Sequence, residues 1–152
     1  MKFSTRTLYG LRAVLVLASR FGEGSLSVSQ IAKKEGISVA YLEQILNALK
    51  KKGFVKSVRG PQGGYVLAQK PSAVTLSKLF SMLDGKVFPL SDEKDTVPSE
   101  KDEIAIANFI FWKKFSQFLK EGLSEITLKD LIDEARRIKK SKPGSSTYTF
   151  HI

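Results

Sequence analysis

Apolar and polar positions alternate with a helical period through the first fifty residues, and the breaks between periodic runs fall on glycine and serine. Leu8, Leu11, Leu15 and Ala18 recur at helical spacing, with Val14, Leu17 and Phe21 widening the stripe, which predicts a core-facing first helix over Thr5 to Phe21. Gly22 and Gly24 end it. Ser27 to Gln30 has capping-box spacing, and Ile31 and Ala32 supply the buried side of a short second helix that Gly36 stops. Ser38 is placed to cap a third helix from Val39 to Lys52, which buries Leu42, Ile45, Leu46 and Leu49. Its opposite face presents Ala40, Glu43, Gln44, Asn47 and Lys51.

After Gly53 the period changes from helix to strand. Phe54 to Val58 and Tyr65 to Ala68 are short β-branched and aromatic runs joined by Gly60-Pro-Gln-Gly-Gly64, the pattern of a hairpin with a glycine-rich tip. A phosphate-cradling nucleotide loop would need a following Gly-Lys-Ser/Thr and a helix; a strand follows instead. Two helices joined by a tight glycine turn, the second with a polar outward face, and then a hairpin, predict a winged helix-turn-helix. The expected fold class is mainly α with a small β-hairpin, the winged unit being followed by a long C-terminal dimerisation helix.

Charge sharpens that expectation. The net charge is +10, and residues 1 to 70 hold 12 Lys/Arg against 3 Asp/Glu, whereas residues 71 to 152 hold 13 against 12. A field concentrated in the N-terminal half suits a polyanion: nucleic acid, an anionic membrane surface or an acidic protein. Residues near the start of a groove-docked helix reach base edges, so Ser38, Ala40, Glu43 and Gln44 are candidates for reading sequence. Arg59 at the hairpin tip suits a narrow minor groove or bidentate binding of guanine. Lys2, Arg6, Arg12, Lys50, Lys51, Lys52 and Lys56 suit phosphate, as do the small tip residues Gly60 and Gly63, where backbone can come close.

Other chemistry is narrowed by inventory. The chain has no cysteine, so it has no disulfide, thiolate metal site or cysteine nucleophile, and its one histidine is His151. No nucleophile, base and orienting group can be assembled from that set, so an enzyme is not expected. No apolar run approaches membrane-spanning length and the N-terminus lacks a secretory pattern, which predicts a cytoplasmic protein. Asp92, Glu93, Asp95, Glu100, Asp102 and Glu103 match no calcium-loop spacing and, with the nearby Pro and Ser, predict a solvated linker rather than a metal site.

Beyond it, Ile104, Phe109, Ile110, Phe111, Trp112, Phe115, Phe118 and Leu119 crowd a helix expected over Glu100 to Glu121. One core-facing stripe cannot hold them all, so this helix needs a second surface, supplied either by another subunit or by an aromatic ligand pocket. Thr127-Leu-Lys-Asp130 then opens a last helix running to about Lys139. The expected division is a winged helix-turn-helix unit at 1–84, a linker at 85–99, the long and terminal helices at 100–140 and a tail at 141–152. In the tail, Tyr148, Phe150 and Ile152 alternate as an edge strand would.

Three blocks together, Met1 to Leu11, Ile37 to Gln44 and Val58 to Leu67, resemble the Rrf2 family of bacterial winged helix-turn-helix regulators. The resemblance implies a cytoplasmic homodimeric transcription factor on a dyad operator, usually a repressor, with Tyr41, Glu43, Gln44 and Arg59 at the DNA surface. It also implies a two-fold interface along the long helix, for which Phe109, Trp112, Phe115 and Phe118 are the candidates. Many members carry three cysteines before that helix that hold a switching iron–sulfur cluster. This chain has none at Asp84 to Glu100 and resembles the cysteine-free branch, which implies no cofactor and leaves room for a protein effector such as a metabolic enzyme. Regulation chiefly through such a partner, and ligand sensing through an aromatic pocket, are the alternatives to direct control of DNA.

Overall fold

Each of the first three helices opens on a serine whose hydroxyl replaces a missing helical hydrogen bond. In the computed structural model, which describes residues 3–84 and 102–141, Ser4 caps α1 (Thr5–Ser19), Ser27 caps α2 (Val28–Glu35) and Ser38 caps α3 (Val39–Lys51). The capping box at Ser27 is complete: its hydroxyl accepts from Gln30 N at 3.2 Å, and its own N–H donates to Gln30 Oε1 at 2.8 Å. Gly36 ends α2 with φ 65°, a left-handed conformation that favours glycine. We expect Ser27→Ala to cost about 1 kcal/mol of stability, read as a lower urea midpoint at unchanged slope. An unchanged midpoint would mean that the box adds nothing to α2.

The third helix is amphipathic as expected. Leu42, Ile45, Leu46 and Leu49 are essentially inaccessible, and Ala40, Glu43, Gln44, Asn47 and Lys51 are exposed. The first helix differs from its expected orientation. Thr7, Gly10, Ala13, Val14 and Leu17 face the core, while Leu8 is 49% exposed, Phe21 lies beyond the helix end at 44%, and Leu11 and Leu15 are half-buried. Apolar residues occupy too many sides of this segment for periodicity to choose a face. Close approach decides it: the place a Gly10 side chain would take is filled by the methyl groups of Leu83.

β1 (Val55–Val58) and β2 (Gly64–Leu67) pair antiparallel, with Val55 opposite Leu67 and Val58 opposite Gly64. β2 also pairs on its other edge with Leu26, through Leu26 N to Tyr65 O at 3.1 Å and Tyr65 N to Leu26 O at 2.8 Å. The hairpin is thereby tied to the loop that enters α2. A 3₁₀ turn at Pro71–Ala73 leads to α4 (Leu76–Asp84), whose Leu79, Phe80 and Leu83 join the core and whose Phe80 stacks on Phe3.

The long helix α5 spans Glu103–Ser124 with Asp102 as its cap, starting and ending three residues later than expected. It has no fully buried residue. α6 (Leu128–Ser141) opens on a reciprocal cap in which Thr127 donates through N and Oγ1 to Asp130 Oδ2, and Asp130 N donates back to Thr127 Oγ1. Those bonds hold the Asp130 carboxyl below the usual carboxylate range. Before α6 the chain pairs with the segment preceding α4, through Leu76 N to Ile126 O at 2.9 Å and Leu128 N to Val74 O at 3.0 Å. Leu128 is fully buried in the same core as α1 to α4. The expectations for Lys2, for the 85–99 linker with Asp92, Glu93 and Asp95, for Glu100 and for the tail past Ser141 lie outside the described residues. Asp102 and Glu103, read with the solvated linker, instead cap and begin α5 because the helix's first N–H groups need an acceptor, and Ser141 itself ends α6.

Candidate nucleic-acid interface

The outward face of α3 and the hairpin tip carry most of the residues expected at DNA, and the fold fixes them to each other. At 3.6 residues per turn, Ala40, Glu43, Gln44, Asn47 and Lys51 form one continuous exposed face. Tyr65, buried in β2, donates its phenol O–H to Asn47 Oδ1 at 3.0 Å. Burial of the ring, and then the nearby Glu43 carboxylate, push the Tyr65 phenol above its usual value. The shift extends to more alkaline conditions the range over which the hydroxyl keeps its proton and donates. This clamp between helix and hairpin was not expected. The available signal was a strand tyrosine that, once buried, needs a hydrogen-bond partner, opposite an asparagine one turn along from Glu43.

Two of the expected base-reading residues stand apart from that face. Ser38 is exposed but its hydroxyl accepts from Tyr41 N at 3.3 Å as the cap of α3. Tyr41 turns to the flank, half-buried, with its ring edge-on to Tyr9 at 5.9 Å between centroids. The flank is set by α1, which no local pattern in α3 could reveal.

The hairpin tip is built by backbone needs. Gly60 has φ 116°, where other residues are strained. Gly63 donates its N–H to Gly60 O at 2.9 Å, and a side chain on it would meet the carbonyls of Val58 and Gly60 at 2.6 and 2.8 Å. Its amide is therefore occupied inside the turn, and what it offers a phosphate is the absence of a side chain. Ser25 Oγ donates to Gln62 O at 2.6 Å and fastens the tip to the loop after α1. Arg59 is exposed beside it.

Arg6, Lys50, Lys51 and Lys56 are all exposed on the elements where they were expected. Two other cations have different work. Arg12 Nε pairs with Glu35 Oε2 at 2.9 Å and its Nη2 donates to Glu35 O at 2.8 Å, bracing α1 against the end of α2. Lys52 Nζ donates to Met82 O near the end of α4.

The long helix shows which aromatic residues need a partner. Ile104, Phe111 and Phe118 recur every seventh residue and are 75%, 56% and 73% exposed, with Phe115 between them stacked on Phe111 at 6.0 Å. Phe109 lies on the opposite side of α5 from Phe118, half-buried, with Lys113 Nζ 5.9 Å from its ring. Trp112 lies between those two directions at 38% exposure. The Trp112 ring meets those of Phe111 and Phe115 edge-on at 5.1 and 6.0 Å between centroids, so Phe109 is the one of the four expected interface residues that stands apart, because crowded apolar residues on a helix do not say which of them the neighbouring helices cover.

An exposed helix face in helix-turn-helix arrangement, with a hairpin alongside, defines a winged helix-turn-helix protein. The Rrf2 family, described as "Iron-dependent Transcriptional regulator", matches residues 3–134, and the chain belongs to that family. It is 37% identical over 131 residues to the HTH-type transcriptional regulator CymR of Bacillus subtilis (strain 168), covering 86% of this chain and 89% of CymR. The solved structure of B. subtilis CymR superposes with a TM-score of 0.73 at 36% identity, covering 88% of this chain and 98% of that one. That of T. potens IscR superposes with 0.74 at 35% identity, covering 91% of each. The chain is thus a DNA-binding helix-turn-helix transcriptional regulator rather than an enzyme. No helix among the described residues is long and apolar enough to cross a membrane.

Proposed function

We propose that the protein is a sequence-specific, homodimeric repressor that acts in the cytoplasm by occupying a dyad operator and excluding other proteins from the promoter. The observation that carries this reading is the exposed polar face of α3 held beside the cationic hairpin by the Tyr65–Asn47 bond. In it, α3 enters the major groove with Ala40, Glu43 and Gln44 at base edges, Glu43 accepting from a cytosine amino group and Gln44 binding adenine at two points. Ser38 and Tyr41 contribute from the edge of that face. Arg59 reads the adjacent groove, while Arg6, Lys2, Lys50, Lys51, Lys56 and the glycine tip hold phosphates.

The division of labour is functional as much as spatial: residues 1–84 read DNA, and α5 joins two copies. Ile104, Asn108, Phe111, Phe115, Phe118 and Gly122 follow each other at alternating steps of four and three, the spacing of a helix-pairing seam. A two-fold axis along that seam sets two α3 helices at half-sites about one turn of B-DNA apart. Trp112 and Phe109 support the seam from its flank and rear.

The regulator works without a thiolate-ligated iron–sulfur cluster. The donor set does not fit one, since the chain has no cysteine, and among the described residues no group of three or more His, Cys, Asp or Glu side chains could hold a metal ion. Anaerobic reconstitution with iron and sulfide is expected to leave the protein colourless. A stoichiometric visible chromophore would require oxygen or nitrogen ligands in its place.

Selection from a random duplex pool tests the whole reading: it should return a two-fold symmetric motif, and binding to it should fall steeply with salt. Equal affinity for the selected and a scrambled duplex would overturn it. On the selected duplex, Arg59→Ala is expected to cost about 1 to 3 kcal/mol and relax one position of the motif, whereas Lys56→Ala weakens all duplexes alike and shallows the salt slope by about one. An Arg59→Ala protein with unchanged sequence preference would remove Arg59 from the reading set.

A further inference from the structure

A cavity of about 530 Å³ opens between α1, the end of α2 and α6, a size typical of small-molecule sites. Leu15 and Val16 on one side and Leu131 and Ile132 on the other make its floor, and all but Val16 keep part of their surface accessible. The rim has the opposite character. Lys34, Arg136 and Lys139 stand around it, and the one acidic residue of the lining, Glu35, is neutralised by Arg12 at 2.9 Å. Arg136 itself is only loosely engaged, with Nη2 donating to Ser19 O at 3.2 Å and Nη1 lying 4.0 Å from Asp133 Oδ1.

We propose that this cavity is an effector site for an amphipathic carboxylate, an apolar chain or ring ending in a single anionic group. The apolar floor takes the body of such a molecule by the hydrophobic effect. A guanidinium with lysines beside it takes the carboxylate, which can replace the neutral Ser19 carbonyl as the partner of Arg136 through stronger, charge-assisted bonds. A molecule of higher charge density is disfavoured, because the floor cannot solvate it. Neither the aromatic residues of α5 nor the DNA face contributes to this lining, so the site is separate from both.

Its position couples it to DNA binding. The rim includes Glu35 and Arg12, the brace that holds the last turn of α2, and Gly36 after it is the turn into α3. A ligand that pulls Arg136 from Ser19, or competes with Glu35 for Arg12, changes how α1 and α2 sit against α6. Occupancy and operator affinity then shift each other by the same factor.

Calorimetry with the full-length protein and octanoate, and with 1-octanol as the uncharged control, tests the site without any DNA present. Octanoate is expected to bind at one site per chain, with octanol weaker by about tenfold or more. Lys34→Glu combined with Lys139→Glu, both at exposed positions in the last turns of α2 and α6, should weaken octanoate by a similar factor in a protein that stays folded by circular dichroism, with a small drop in melting temperature from the lost helix-end cations. Amide shifts on octanoate addition should cluster at residues 15–19 and 131–139. Absence of saturation, equal binding of octanol, indifference to the double charge reversal, or shifts confined to the aromatic face of α5 would each overturn the proposal. A second arm measures affinity for the selected duplex with and without octanoate: a several-fold change supports the effector role and no change removes it. Since the calorimetric arm needs no operator, failure of the site and failure of the DNA reading give separate results.

Discussion

Phe111→Glu combined with Phe118→Glu is expected to yield a folded monomer that has lost about 100- to 10,000-fold in affinity for a dyad operator. Both side chains lie largely in solvent in the single chain, so charging them leaves the core of α1 to α4 and Leu128 untouched. In a two-fold pair the same substitutions bring four carboxylates into an apolar seam, where burying an unpaired charge costs more than the seam gains. The affinity loss follows because two linked reading heads bind the second half-site as an intramolecular event, and separate heads do not. Sedimentation reads the mass and far-ultraviolet circular dichroism reads the fold. A double variant that still sediments as a dimer would show that the subunits associate elsewhere. A monomer with full operator affinity would show that one head suffices.

Gly64→Ala is the second large effect, and it acts on the hairpin. The α-carbon of Gly64 faces the backbone of Leu26 and Ser27 so closely that a methyl group would overlap the Leu26 carbonyl and approach Ser27 N at 2.7 Å. These are main-chain atoms, so no side-chain rotation relieves the overlap. The hairpin must lift from residue 26 and lose the two bonds between Leu26 and Tyr65. Overpacking and two lost hydrogen bonds together amount to about 2 to 4 kcal/mol. Because Tyr65 also bonds Asn47, the displaced hairpin loses its fixed position beside α3, which stays anchored in the core, and operator binding should fall by more than the loss of folded protein explains. Denaturant titration and duplex binding under strongly folding conditions separate the two contributions. An unchanged unfolding midpoint would mean that the Leu26 pairing is dispensable.

The two variants also mark where sequence reasoning stops. Gly64 was legible as one glycine of a turn, but its real constraint comes from Leu26, far along the chain, meeting it across a single pair of bonds. An isolated bridge leaves no alternating pattern at residue 26 to announce it. On α5, the need for a second surface could be seen in the number of aromatic residues. The choice among them could not: Phe109 and Phe118 look equivalent by composition, yet one is half-covered by the protein's own helices and the other is 73% exposed. The cavity beside α6 has no sequence signature, since its floor and rim are drawn from three separate helices.

By itself the sequence determined what is governed within a few residues: the caps at Ser27, Ser38 and Thr127, the stops at Gly36 and Gly53, the buried face of α3, the hairpin, and the absence of thiolate chemistry. Those features follow from helical and strand periods and from backbone groups that must find partners nearby. Only the tertiary structure decided that Leu8 faces outward, that Arg12 braces Glu35, that Lys52 is tied to Met82, and that Tyr41 rests on Tyr9. The reason is that a side chain's partner across the fold is selected by where whole helices come to lie. That placement depends on the summed packing of the core and leaves no mark on the residues adjacent in sequence.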